Sequence, residues 1–123
     1  MEASLKRDQW KQGLRLQIKA GVAIGPGKAS LLEAIERLGS ISAAAREMEM
    51  GYKTAWIMVE SMNAQFVGPL VESSKGGSRG GGARLTSLGY EVLQRYRSME
   101  TKAQRAIEVD AREFEALLKP STE

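Results

Sequence analysis

The sequence predicts an α+β fold, mostly helical with one small antiparallel ribbon, and three observations predict it. Between Ser40 and Phe66, apolar residues recur at helical spacing in two short runs broken at Gly51. Beyond them comes KGGSRGGGAR, Lys75 to Arg84, a glycine-rich and purely cationic run between two strand-like pieces. Strict alternation before residue 25 and a three-and-four spacing after residue 87 add an N-terminal strand or hairpin and a long C-terminal helix. Together these describe a winged helix-turn-helix: a helix narrow enough for the major groove of DNA and a basic loop for the neighbouring phosphates.

The first element is a half-buried strand. Every even position from Leu14 to Ile24 is apolar, with Arg15, Gln17 and Lys19 between them, and period two means one face in and one face out. Gly21 can bend it into a hairpin; one interrupted strand is the preferred reading, and Gly25-Pro26-Gly27 ends it. Helix one then spans about 27 to 38, with Pro26 in its entry turn, Leu31, Leu32, Ile35 and Leu38 at helical spacing, and Gly39 as terminator. Helix two is short, about 42 to 49, with Ser40 and Ser42 both able to cap it and Ala43, Ala44 and Ala45 allowing close approach of a neighbour.

Helix three follows Gly51. Ala55, Val59, Met62 and Phe66 share its inner face, which leaves Tyr52, Lys53, Thr54, Trp56 and Ile57 pointing elsewhere. An outward Trp and Ile need either a neighbour or a ligand to cover them. Leu70–Ser74 and Ala83–Thr86 form the ribbon around the glycine loop, and Thr86 or Ser87 caps the last helix. Its apolar seam, Leu88, Val92, Tyr96, Met99, Ala103, Ile107, Phe114 and Leu117, runs for some 30 residues past one irregularity at Asp110, too long for so small a body to bury. A second copy of the chain is the expected cover. Residues 1–86 then make the DNA-binding unit and residues 87–123 a dimerisation arm.

Composition narrows the function. The chain has 123 residues, 42% of them hydrophobic, which suits one modest core and leaves no room for a second ligand-binding domain. Residues 1–99 hold 14 Lys/Arg against 9 Asp/Glu, whereas 100–123 hold 4 against 6, so a basic body carries an acidic tail. A basic body suits a polyanionic partner. There is no Cys and no His, which removes thiolate chemistry, imidazole bases and the usual zinc ligand sets, so no enzyme, metal or cofactor is expected. The N-terminus lacks the apolar core of a secretory signal and no run reaches the length needed to span a bilayer, so a cytoplasmic protein without membrane contact is expected.

Each motif has a plainer reading. Bi-helical corners that bind nothing are common, and the wing is what tilts this one toward DNA. Five glycines in the nine residues from Lys75 to Ala83 leave that loop nothing to pack with, while Lys75, Arg79 and Arg84 suit phosphate contact. Lys53 can donate to guanine or to phosphate, Trp56 suits core support and DNA contact equally, Tyr52 reaches toward the backbone through its hydroxyl, and Ser42 lies at the start of helix two. GPGKAS at 25–30 is not a phosphate-binding loop, because Val22 stands where the first glycine belongs and Ala29 where the hydroxyl belongs. Glu33/Glu36 and Glu47/Glu49 read as solvated helix faces.

The run Ser30 to Leu93 resembles the winged-helix domain of ModE-like molybdate-responsive transcription regulators, relatives of LysR-type DNA-binding domains. GSIS, YK-x-AW, MN and the glycine loop ending in LT-x-x-G carry the resemblance in combination. It implies a homodimer that binds a two-half-site operator, with Tyr52, Lys53, Thr54 and Trp56 approaching the major groove and the wing at 75–84. Gly51 departs from it, standing where the family has a capping serine. So does the end of the chain, since full-length members carry molybdate-binding domains after the arm; a separate effector or sensor protein, constitutive binding or a replaced sensing function are the expected alternatives. The competing class is a protein-interaction module that uses Trp56 and Ile57 and never touches DNA.

Overall fold

The computed structural model describes residues 23–74 and 82–120. The strand expected over 14–24 therefore lies outside the described residues but for its last two, as do Lys75 and Arg79 of the wing. The described order is α1 (Pro26–Leu38), α2 (Ile41–Glu47), α3 (Tyr52–Gln65), β1 (Val71–Ser74), β2 (Gly82–Leu85), α4 (Ser87–Ala106) and α5 (Glu108–Glu115).

Helix α1 starts where Pro26 needs no intrahelical donor and stops where Gly39 turns left-handed at φ 77°, its N–H bonding back to Ile35 O at 2.7 Å. Ala29, Leu31, Leu32, Ala34 and Ile35 are buried. Leu38, expected on the same face, lies at the helix end and is partly open. Helix α2 begins one residue earlier than expected, because Ser40 and not Ser42 caps it: the Ser40 Oγ accepts from the Ala43 N–H at 2.8 Å. It also ends earlier, at Glu47. Glu49 takes a left-handed φ of 58°, and the Met50 N–H reaches back to Ala45 O at 3.0 Å, closing a tight turn into α3.

The inner face of α3 holds: Ala55, Val59 and Met62 are buried, and Phe66 packs half-buried against the core. Asn63 controls where the chain goes next. Its Oδ1 accepts from the Leu70 and Val71 N–H groups at 2.8 and 3.1 Å, and its Nδ2 donates to Val71 O at 3.1 Å. Strands β1 and β2 pair antiparallel with Val71 opposite Leu85 and Ser74 opposite Gly82. Val71, Ala83 and Leu85 face the core, which they share with the buried faces of α1, α2 and α3.

Helix α4 is capped by Thr86, whose Oγ1 accepts from the Gly89 N–H at 2.9 Å while its O–H donates to Pro69 O at 2.7 Å. One correction concerns the arm. The single helix of some 30 residues is broken at Ile107, whose φ −105° and ψ 7° leave the helical region. The break falls where charge suits two helix ends: Arg105 closes α4, and Glu108 and Asp110 open α5. At 20 residues, α4 alone spans about 30 Å.

Its first half belongs to the body. Tyr96 is buried, and Leu88, Val92 and Leu93 pack on the core. Arg97 pins α4 to α1, donating to both Glu33 carboxylate oxygens at 3.0 Å, to Ser30 Oγ at 3.1 Å and to Glu100 at 2.7 Å. Burial alone would weaken the hold of this guanidinium on its proton, but the two carboxylates outweigh it and push its pKa up.

Candidate nucleic-acid interface

Helix α3 presents the surface in question. With Ala55, Val59 and Met62 inward and about 100° between successive residues, Lys53 and Ile57 fall on the opposite line, with Thr54 to one side and Tyr52 and Trp56 to the other. Tyr52, Lys53 and Thr54 are exposed, as is Ile57 at 55%. Trp56 is half-buried and packs against the core, and the Tyr52 ring stacks on it, centroids 6.5 Å apart and planes 16° from parallel. The tryptophan thus combines a supporting role with a partly open edge, and it holds Tyr52 in place at the start of the helix.

Gly51 caps α3 with extended backbone at φ −67° and no side-chain bond. A Cβ there would have only the Thr54 hydroxyl near it, at 3.9 Å, so a capping side chain would fit. The first turn of α3 has no side-chain cap, and uncapped N–H groups at a helix start suit approach of an anionic backbone.

The wing's base is built against the helix-turn-helix. The Ala83 N–H donates to Gly39 O, in the turn between α1 and α2, at 2.9 Å. Glu36 adds a second tie: one carboxylate oxygen accepts from the Leu85 N–H at 3.2 Å and the other from the Tyr90 hydroxyl. The Tyr90 bond, then the Leu85 amide, hold the Glu36 pKa below the ordinary carboxylate range against the opposing effect of burial, and Tyr90 is raised in turn by its bond to Glu36. Because Ser74 pairs with Gly82 and the Ala83 N–H bonds Gly39 O, the described end of the ribbon is held against the end of α1.

Of the residues singled out in the sequence, the structure brings Tyr52, Lys53, Thr54 and Trp56 onto one helix opening, and Ser42 sits exposed in the first turn of α2. Arg84 is exposed on β2, but its cross-strand neighbour is Glu72, 3.5 Å away, so it shares its charge with a carboxylate. Lys75 and Arg79 lie outside the described residues. The arm residues divide: Leu88, Val92 and Tyr96 pack within the chain, Met99, Ala103 and Ile107 are half-buried, and Phe114 and Leu117 are open at 68% and 81%. Asn63, Glu36 and Arg97 escaped sequence reasoning as positioning residues. Asn63 stood in the MN motif without a physical reason; the other two gave no signal, since their partners lie across the fold.

Among the described residues, no group of three or more acidic side chains is placed to hold a metal ion, and no helix is long and apolar enough to cross a membrane.

Comparison with known proteins places this geometry. The bacterial regulatory helix-turn-helix proteins of the lysR family match residues 28–90. The molybdenum transport protein ModE of Azotobacter vinelandii is 39% identical over 95 residues, 77% of this chain and 35% of its own length. The DNA-binding transcriptional dual regulator ModE of Escherichia coli is 36% identical over 96 residues, 78% of this chain and 37% of its own. The chain thus spans little more than a third of the length of these relatives. In fold it is similar to the protein of a CbnR_DBD–DNA complex, with a TM-score of 0.53 at 20% identity over 69% of this chain and 92% of that one.

Proposed function

This chain belongs to the lysR family of bacterial regulatory helix-turn-helix proteins, and we propose that it acts as a ModE-like transcription regulator that binds duplex DNA as a homodimer. The observation that carries the reading is the opening of α3, where Tyr52, Lys53 and Thr54 stand exposed, in a chain whose two-stranded ribbon is joined by a loop holding Lys75 and Arg79. Lys53 and Thr54 meet base edges or phosphates in the major groove, Tyr52 and the open edge of Trp56 flank them, and Ser42 donates to the backbone from the start of α2. The wing cations Lys75, Arg79 and Arg84 grip the adjacent phosphates, with Arg84 exchanging Glu72 for DNA.

The body expected over residues 1–86 takes in the first half of α4 as well, whose Leu88, Val92 and Tyr96 pack on the core, and the rest of the expected 87–123 segment forms the arm. The partner's arm covers the outer seam, Met99, Ala103, Ile107, Phe114 and Leu117, and twofold symmetry sets two half-sites a whole number of DNA turns apart. The protein works in the cytoplasm by occupancy, without catalysis or cofactor, and a separate effector or sensor protein supplies any signal.

The test is duplex binding measured against salt, with Lys53, Lys75, Arg79 and Arg84 replaced by alanine. Affinity collapses and the log–log salt slope becomes shallower by about 0.9 for each phosphate that is no longer neutralised. Salt-insensitive binding, or full affinity without these cations, rejects the reading and leaves a protein-interaction module in its place.

A further inference from the structure

We propose that Ile57 reads the 5-methyl group of a thymine in each half-site, an inference that rests on the DNA-binding reading above. Ile57 lies on the line of α3 opposite the buried Ala55, Val59 and Met62, and it is 55% exposed, with Lys53 one turn earlier on the same line. A helix that docks with Lys53 in the groove therefore carries Ile57 in with it. The aromatic pair next to it does not cover it: Tyr52 stacks on Trp56, which leans toward the core.

The chemistry of the side chain then selects the base. In the major groove every base pair offers hydrogen-bonding groups, and thymine alone adds a methyl. An aliphatic tip pressed against any other edge strips water from donors or acceptors and returns no bond, whereas against thymine it buries methyl on methyl. Branching at Cβ strengthens the case, because isoleucine in a helix keeps essentially one χ1 rotamer and loses little freedom on docking. Lys53 adds affinity along the same line, and Ile57 adds selectivity.

The full chain is used to recover its tightest duplex from a random pool, and each thymine of that duplex is then replaced singly by deoxyuridine, which removes only the methyl. The wild-type chain loses about 4-fold in affinity at one thymine per half-site, the worth of one buried methyl. Ile57→Ala binds the thymine duplex correspondingly more weakly and shows no further loss at that position. An equal loss in wild type and Ile57→Ala overturns the inference, because another residue then touches the methyl. A duplex whose uracil forms all bind the wild type unchanged overturns it too, while leaving the DNA-binding reading intact. A pool that yields no enriched duplex overturns both.

Discussion

Gly89 lies so close to Leu70 that a Cβ on it would sit 2.2 Å from the Leu70 carbonyl oxygen. The same oxygen accepts from the Thr86 N–H at 2.9 Å, so the first turn of α4 is pressed onto the residue that leads into β1. Replacing Gly89 by alanine should raise helix propensity by about 1 kcal/mol and still destabilise the fold, because the clash is with backbone that a tight core cannot move aside. The expected net loss is about 2 kcal/mol, read from urea unfolding. A variant as stable as the wild type would show that α4 can lift off β1 freely.

Asn63 predicts a similar loss by a different route. Its side chain satisfies two backbone donors and one acceptor in the turn from α3 into β1, so Asn63→Ala removes three hydrogen bonds worth about 1 kcal/mol each. Stability should fall by about 2–3 kcal/mol. Asn63→Asp, which keeps both accepting interactions but sets a carboxylate against Val71 O, should fall between. Equal unfolding midpoints for all three chains would place the order of this turn elsewhere.

These two residues show where sequence reasoning stopped. The described elements were readable because each obeys a local rule: short strand-like pieces on either side of a glycine loop for the ribbon, three-and-four spacing for the helices, Gly39 and Thr86 at helix ends. The opening of α3 was readable for the same reason, since a buried line at Ala55, Val59 and Met62 decides what faces outward. The close approach of Gly89 to Leu70 joins distant positions in the chain, and Arg97 finds Glu33 across 64 positions; no pattern within one element encodes either. The break at Ile107 lay between. Arg105 before it and Glu108 and Asp110 after it are end signals, but an apolar spacing that resumes beyond the irregularity at Asp110 outweighed them.

Acid should loosen the wing before it unfolds the helices. Glu36 is held below the ordinary carboxylate range chiefly by the Tyr90 hydroxyl and the Leu85 amide, and Glu47 likewise by Arg37. A carboxylate whose pKa is lowered by folding stabilises the native state above its unfolded pKa, about 4.3, and that contribution disappears as pH falls through the lower folded value. The unfolding midpoint should therefore be flat from neutral pH to about 5 and decline below it. Glu36→Gln should start lower at pH 7 and decline less steeply, and amide exchange in β2 should report the change first. Parallel pH profiles for the two chains would mean that Glu36 does not anchor the ribbon.

Self-association should depend on the end of the arm more than on its root. Tyr96 is buried in its own chain and Arg97 ties Glu100 and α1 together, so cutting at Met99 would damage the body together with any interface. Cutting after Ala106 spares both. It removes α5 with Phe114, whose exposed ring stands among acidic and basic neighbours, and the open Leu117 and Leu118 beyond it. If a second copy covers this apolar surface, the truncated chain should keep its unfolding midpoint while its dimer dissociates at least 10-fold more readily in sedimentation equilibrium, as about 1.4 kcal/mol of forfeited burial requires. Phe114→Ser in the full chain should move association in the same direction. Unchanged dimerisation in both would shift the interface to the half-buried Met99 and Ala103 of α4, and would leave the open face of α5 with no part in pairing.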